Sequence, residues 1–384
     1  MTILHVITSM ATGGAEHLMV DLLPRLRDLG NEVELLLFDG RQTPFRDQLE
    51  ATGITIHSLG TGGNVYHPRN LWRLTRFLRK HHYDIVHTHN TACQLFAPVA
   101  RIMSGSHCRL FTNEHNATNR RRGKWWLKPI DQWMYARYDH IICIADQTYD
   151  NLTQYLGRKD GITTIYNGVD TQRFVRPIKD MSPPKSPLKR GTSCSGSETE
   201  LPPLQGGLGG APGYVITMIA AFREQKDQDT LIRAMALLPE GYRLQLVGDG
   251  VRRGALEALV HELGLEERVS LLGVRTDIPE LMEGSDVMVL SSHWEGLSLS
   301  SIEGMASGRP FVASDVDGLR EVVDGYGVMF PEGDATALAE AIEGLCSNPE
   351  HYRAVATRCQ ARAQQFDITQ MAHRYNSLYH YHTD

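Results

Sequence analysis

The stretch Ser292–Gly304, SHWEGLSLSSIEG, places two carboxylates, Glu295 and Glu303, at the ends of a run in which four of the seven intervening residues are Ser or Gly. A carboxylate offers only hydrogen-bond acceptors, so it suits hydroxyls and not phosphates. The short run between them lets backbone N–H groups of Gly296, Leu297, Ser298 and Leu299 face an anion. A ligand with a diphosphate in its middle and hydroxyls at both ends fits that order, and nucleotide-sugars have this form. Because the run follows the strand-like VMVLSS, Trp294–Leu299 is expected to be a loop. Ser300 or Ser301 is expected to cap the helix SIEGMASG, with Glu303 in its first turn.

Other stretches offer complementary chemistry. AAFREQKDQDTLIRA sets Arg223 and Lys226 three residues apart before a helix, where two cations can converge on a diphosphate. A solvated charged turn would read the same way. Gly13 and Gly14 in SMATGGAEHLM allow a tight turn and a close backbone approach at a helix start, an anion site or ordinary turn chemistry. This is not the G-x-G-x-x-G fingerprint, and no acid closes a following strand at the required distance, which disfavours a nicotinamide dehydrogenase. His87 and His89 in VHTHN point to one side of a strand as a metal pair would, but no third ligand is apparent.

These residues need elements to hold them, and the apolar pattern supplies them. Short runs such as TILHVIT, EVELLLF, DIVHTH and HIICIA alternate with helix-spaced stretches such as NLWRLTRFLRKHH. After residue 213, YVITMIA, RLQLVG, VSLLG, VMVLS and PFVAS repeat the rhythm, with helices from there to the end. Near-continuous apolar strands joined by helices predict α/β architecture: two Rossmann-like domains with parallel sheets facing across a cleft, the ligand lying beyond the carboxyl ends of the strands. The length of 384 residues also exceeds what one core usually serves.

The expected domains are residues 1–176 and residues 213–361, the second for nucleotide-sugar binding. Between them, 17 of the 32 residues of 181–212 are Pro, Gly or Ser, with no aromatic, Val or Ile, so this insert is expected to be disordered. Its Pro spacing also admits an SH3-type ligand. Six scattered cysteines without a C-x-x-C pair indicate reduced thiols and a cytoplasmic setting. No signal peptide is expected from the first residues, and no apolar run is long enough to span a membrane. A net charge of −6 gives no global attraction to nucleic acid.

Glu295 and Glu303 with EGMASGRPFVASDVDGLREVV, GGAE near the start, IYNGVDTQRF at 165–174 and LVGDG at 246–250 resemble the retaining family-four glycosyltransferases of the glycosyltransferase B fold. The resemblance spans nearly the whole chain outside the insert. It implies that Glu303 binds the nucleotide ribose and Glu295 the donor sugar, that Arg223 and Lys226 hold the diphosphate, and that the Gly13–Gly14 loop and Gly248 border the nucleotide. It places His115 against the transferred sugar, with Glu16 and Asn167 as further matches. It also implies that a C-terminal helix at about 362–384 joins the first domain. The family usually has Gly after the lysine, whereas Asp227 stands here. The DVD at 315–317 spells the metal motif of the other large glycosyltransferase fold but falls where this family has a plain loop. No cofactor or metal is therefore expected.

The implied reaction is transfer of a sugar from a nucleoside-diphosphate sugar, UDP-linked in preference to GDP-mannose, to a saccharide or lipid-linked saccharide hydroxyl with retention. An epimerase or phosphorylase on the same fold, or a non-catalytic sugar-nucleotide-binding protein, is the alternative. Arg120–Tyr138 holds six basic residues, one acid and three of the five tryptophans, which suits an anionic membrane surface on the cytoplasmic side. Packing of Trp125, Trp126 and Trp133 into the first domain is the competing reading.

Deleting Ser182–Ala211 should leave thermal unfolding and nucleotide binding unchanged, since this segment has no core residues to contribute. A lowered melting temperature would show that the segment is docked.

Overall fold

The computed structural model describes residues 1–11, 14–114, 127–179 and 213–381. Gly13, His115, Arg120–Trp126 and the 181–212 insert lie outside the described residues.

The first half builds a seven-stranded sheet from β1 (Thr2–Ile7), β2 (Glu32–Leu37), β3 (Thr55–Ser58), β4 (Ile85–Thr88), β5 (Arg109–Glu114), β6 (His140–Cys143) and β7 (Ile162–Thr164), in the order β3-β2-β1-β4-β5-β6-β7. The second half builds six strands: β8 (Tyr214–Ile219), β9 (Tyr242–Val247), β10 (Val269–Gly273), β11 (Val287–Leu290), β12 (Phe311–Ser314) and β13 (Val328–Phe330). Their order is β10-β9-β8-β11-β12-β13. Every pairing within both sheets is parallel. This is the two-sheet α/β architecture that the apolar alternation predicts. The edge strands β7 and β13 correct the sequence reading, which passes over the first and runs helices on after β12. Three residues are too few to show a period.

Strands buried on both faces account for the unbroken apolar runs: β4, β6, β11 and β12 are buried at every position. The last helix, Ile368–His380, packs not on the second sheet but on the first. Its Ile368, Met371, Ala372, Tyr375 and Tyr379 join the core of Ile3, Leu18, Leu22 and Phe111. Polar bonds fix it there: Asn113 Nδ2 donates to Tyr375 OH at 2.7 Å, His87 Nδ1 and Tyr379 OH are 2.5 Å apart, and Arg109 donates to the Tyr379 carbonyl.

In each sheet the strand order reverses once, between β1 and β4 and between β8 and β11. Chain leaving the carboxyl ends of two such neighbours departs to opposite faces, which opens a crevice at that point. Among the described residues no helix is long and apolar enough to cross a membrane.

Candidate active site

Both crevices carry the chemistry picked out in the sequence. Arg223 and Lys226 follow β8, and Glu295 follows its neighbour β11. On the other sheet Gly14 and Glu16 follow β1, and Asn90, which the sequence reading does not single out, follows its neighbour β4. The two crevices approach each other, since a β-carbon placed on Gly14 would lie 3.9 Å from Leu299 Cδ1.

The helix carrying Glu303 begins earlier than the sequence suggests. It runs Leu299–Ala306 with Ser298, not Ser300 or Ser301, at the N-cap position, so Glu303 falls in the second turn. The serine hydroxyls are turned to other partners: Ser301 donates to the Ser298 carbonyl at 2.7 Å, and Ser298 and Ser300 pair at 3.1 Å. No side chain caps this helix. Its first-turn N–H groups are therefore left for an external acceptor. Behind them, Gly318 is packed so closely that a β-carbon would strike the Glu295 and Gly296 carbonyl oxygens. Gly318 closes the DVD stretch, whose Asp315 and Asp317 both accept from Arg320.

Glu295 is held from three sides. Lys226 Nζ donates to Glu295 Oε1 at 2.5 Å, Ser292 Oγ to the same oxygen at 2.6 Å, and Gln225 Nε2 to Oε2 at 3.5 Å. Lys226 and Glu295, assigned to different parts of a donor by the resemblance, thus neutralise each other here. Arg223 is exposed. Ser292 and Gln225 were not singled out from the sequence, because nothing but proximity to Glu295 distinguishes them.

Asp227, the departure from the family pattern, holds a left-handed backbone at φ 45. Its carboxylate compensates by capping the helix Gln228–Leu237 through the N–H and hydroxyl of Thr230. Gly248 is needed for close packing, since a β-carbon at its φ of 141 would collide with the Ala220 carbonyl just beyond β8. Asn167 is buried beside Gly168, whose N–H reaches Met371 Sδ, so the NGVD stretch sits against the returning C-terminal helix.

On the first sheet, Asn90 has φ 68 and ψ 150, a region that otherwise belongs to glycine. It stands at the N-cap of the helix Thr91–Ser104 without capping it. Its Nδ2 donates to Thr8 Oγ1 at 3.0 Å, and its side chain also bonds the Glu16 carboxylate. Burial raises the Glu16 carboxyl above its usual range, while its own backbone N–H and Asn90 oppose the rise.

His5 on β1 corrects the reading of His87 and His89 as a pair without a third imidazole. The register sets His5 beside His87, and ligand nitrogens of all three residues lie within 4.8 Å of one another. Four of the ring nitrogens bond within the protein: His5 Nδ1 with His89 Nε2 at 3.0 Å, and His87 with Tyr379 and with Asn113 Oδ1 at 2.7 Å. A pattern search along one strand cannot see a ligand on the next.

Two parallel sheets with facing strand-order reversals, each carrying polar groups at its carboxyl edge, define the glycosyltransferase B fold. Comparison with known proteins agrees. Residues 12–173 match the family model described as Glycosyltransferase Family 4, and residues 213–348 that of Glycosyl transferases group 1. The chain is 29% identical over 335 residues to the putative glycosyltransferase EpsD of Bacillus subtilis, covering 83% of each chain. It is 27% identical over 262 residues to the UDP-Gal:alpha-D-GlcNAc-diphosphoundecaprenol alpha-1,3-galactosyltransferase of Escherichia coli, covering 65% of this chain and 62% of the other. Anabaena Alr3699/HepE in complex with UDP-glucose superposes with a TM-score of 0.79 at 22% identity, covering 98% of each chain. The chain belongs to the family-four glycosyltransferases.

Glu303 is half-buried, and burial pushes its carboxyl up to about 7 although Arg173 pulls it down; Asp21 adds to the rise. Between an ordinary glutamate value of 4.5 and 7 the folded state binds more protons than the unfolded one, so this group makes stability fall as pH rises through that window. Glu303→Gln removes that slope. Its melting temperature relative to wild type should increase from pH 5 to pH 8, and parallel curves would contradict the assignment.

Proposed function

We propose that this glycosyltransferase moves a sugar from a nucleoside-diphosphate sugar, with UDP as the favoured nucleotide and GDP-mannose next, to a hydroxyl of a saccharide or lipid-linked saccharide in cell-surface glycan synthesis. One observation carries the reading. An uncapped helix start lies between Glu295 and Glu303, with Lys226 bonded to Glu295 and Arg223 on the adjoining loop. The helix amides and the two cations match a diphosphate, and the acids match the hydroxyls on either side of it. UDP-glucose in the Anabaena relative and the UDP-galactose and diphosphoundecaprenol in the name of the Escherichia coli relative support the donor class and a lipid-linked acceptor.

The reaction proceeds with retention and without a metal. The bond from the anomeric carbon to the diphosphate oxygen breaks as the acceptor oxygen bonds to the same face. The acceptor proton passes to the departing diphosphate, so no strong protein base is required. Lys226, Arg223 and the helix amides stabilise the charge that collects on that diphosphate, the task a divalent cation performs elsewhere. For Lys226 to do so, the donor must take over part of its bond with Glu295, freeing the carboxylate for the sugar. The family resemblance assigns His115 and the Gly13–Gly14 loop to the same donor.

A peripheral site at the cytoplasmic membrane face fits the acceptor. Within the described part of Arg120–Tyr138, Ile130 and Trp133 are exposed and Arg137 lies 5.4 Å over the Trp133 ring. The helix Pro68–Lys80, which packs on Thr91–Ser104 as Lys128–Tyr135 does, exposes Trp72 beside Arg69 and Arg76 and has no acid. The five described cysteines are buried thiols, in keeping with a reducing compartment.

Glu303→Ala should weaken binding of free UDP, and Glu295→Ala should spare UDP and lower turnover, each by about 1.5–3 kcal/mol. Calorimetry and initial rates with EDTA present test both, and equal UDP affinity in all three proteins would remove the assignment. In liposome sedimentation, wild type should pellet with anionic vesicles, less so at high salt. It should stay in solution when Arg120, Arg121, Arg122 and Lys124 become Ser. Wild type free in solution at low salt would end the membrane reading.

A further inference from the structure

Lys226 has two anions to serve. Its ion pair with Glu295 holds Nζ at 2.5 Å, and the departing diphosphate needs the same ammonium. With the lysine in place 7% of the Glu295 side chain is exposed, so the lysine must withdraw before a sugar hydroxyl reaches the carboxylate. Withdrawal leaves a negative charge in a largely desolvated position, where an uncompensated charge is costly. The bonds that remain around Glu295 therefore govern how readily the pair opens.

Several bonds survive that withdrawal. Ser292 Oγ donates at 2.6 Å to Glu295 Oε1, the oxygen that Lys226 also uses, and Ser292 is fully buried just beyond β11. The Ser292 carbonyl accepts from Ser314 Oγ at 2.5 Å, so the backbone carrying the hydroxyl is tied to the end of β12 and does not travel with the lysine. The cation loop and the acid loop are joined by bonds that do not involve Lys226 Nζ. The His293 N–H donates to the Gln225 carbonyl at 2.8 Å, and Gln225 Nε2 donates to the Trp294 carbonyl at 2.8 Å. The loops thus stay together while the lysine side chain moves. Among the described residues Glu295 Oε2 has Gln225 Nε2 at 3.5 Å and no closer donor, so it keeps the capacity to accept from a sugar hydroxyl.

We propose that Ser292 is the positioning residue for Glu295: its hydroxyl holds Oε1 and steadies the negative charge when Lys226 transfers to the donor diphosphate, leaving Oε2 to the sugar. This rests on the glycosyltransferase reading above and names the group that lets one lysine serve two anions in turn. A serine suits the position, because a neutral donor stabilises the carboxylate without competing for it as a second cation would. Without that hydroxyl the carboxylate depends on Lys226, and the ion pair resists opening.

The test is a double-mutant cycle on Ser292→Ala and Glu295→Ala. Donor kcat/KM is measured at fixed acceptor, with the UDP-sugar or GDP-mannose and the octyl glycoside that wild type turns over fastest. Assays run below the lowest melting transition of the four proteins. Ser292→Ala should lower kcat/KM at least about tenfold in the wild-type background. Once Glu295 is alanine the same change should cost less than about twofold, because the hydroxyl has no carboxylate left to hold. An equal loss in both backgrounds overturns the proposal and assigns Ser292 to the fold of the loop. Ser292→Ala with kcat/KM within twofold of wild type overturns it as well, since the ion pair then opens unaided. If wild type makes no glycosylated product from any of these donors, the glycosyltransferase reading fails first and the role of Ser292 falls with it.

Discussion

A parallel sheet whose strand order reverses cannot cover its own carboxyl edge at the reversal. Between β8 and β11, and again between β1 and β4, successive connections go to opposite faces, and the chain ends that emerge there have no neighbour to pair with. Whatever polar groups occupy those ends face each other across open space. The rest of the molecule follows from this vacancy. The helices packed on both faces keep the sheets rigid, and the close glycine contacts at Gly248 and Gly318 set the loops at fixed heights above the edge. The uncapped start of Leu299–Ala306 presents its amides into the same space.

Electrostatics in that space is managed by pairing. Lys226 and Glu295 pair at the carboxyl edge of the second sheet, while Glu303 and Glu16 are partly desolvated. Glu295 is satisfied by Lys226, Ser292 and Gln225, while burial raises the carboxyls of Glu303 and Glu16 above their ordinary range. The nearest helix, with Asp227 at its cap, shows the same economy. A side chain in a conformation that suits glycine is retained because its carboxylate satisfies both the N–H and the hydroxyl of Thr230.

Much of this was legible in the sequence. Unbroken apolar runs announce strands covered on both faces, and the loops after them carry the spaced charges, so Arg223, Lys226 and Glu295 could be placed at strand ends, and Glu303 in the helix that follows, without coordinates. The start of the helix bearing Glu303 was placed two or three residues late. Its serines look like caps, but their hydroxyls bond one another and the Ser298 carbonyl. The short edge strands β7 and β13 escaped because three residues carry no period. What remained invisible joins positions far apart in the chain: His5 beside His87, Gly318 beneath Glu295, Asn90 against Glu16. Each depends on sheet register or on a backbone angle, and neither is written in local composition. Asn90 in particular reads as an ordinary turn residue until its φ is known.

The closing helix has a consequence for how the molecule is made. Tyr375 and Tyr379 are wholly buried against the first sheet, and Tyr379 bonds His87 across 292 positions of sequence. During synthesis the first half leaves the ribosome well before Ile368–His380 exists, and the groove lined by Ile3, Leu18, Leu22 and Phe111 stays uncovered for the entire time the second half is being built. At about 5–20 residues per second that interval is on the order of ten seconds or longer. The second sheet, from Tyr214 to Phe330, is meanwhile free to complete itself as it emerges. The half that begins first is thus the half that finishes last, and a sticky apolar trough on the nascent chain is a natural client for a chaperone until the final helix drops into place.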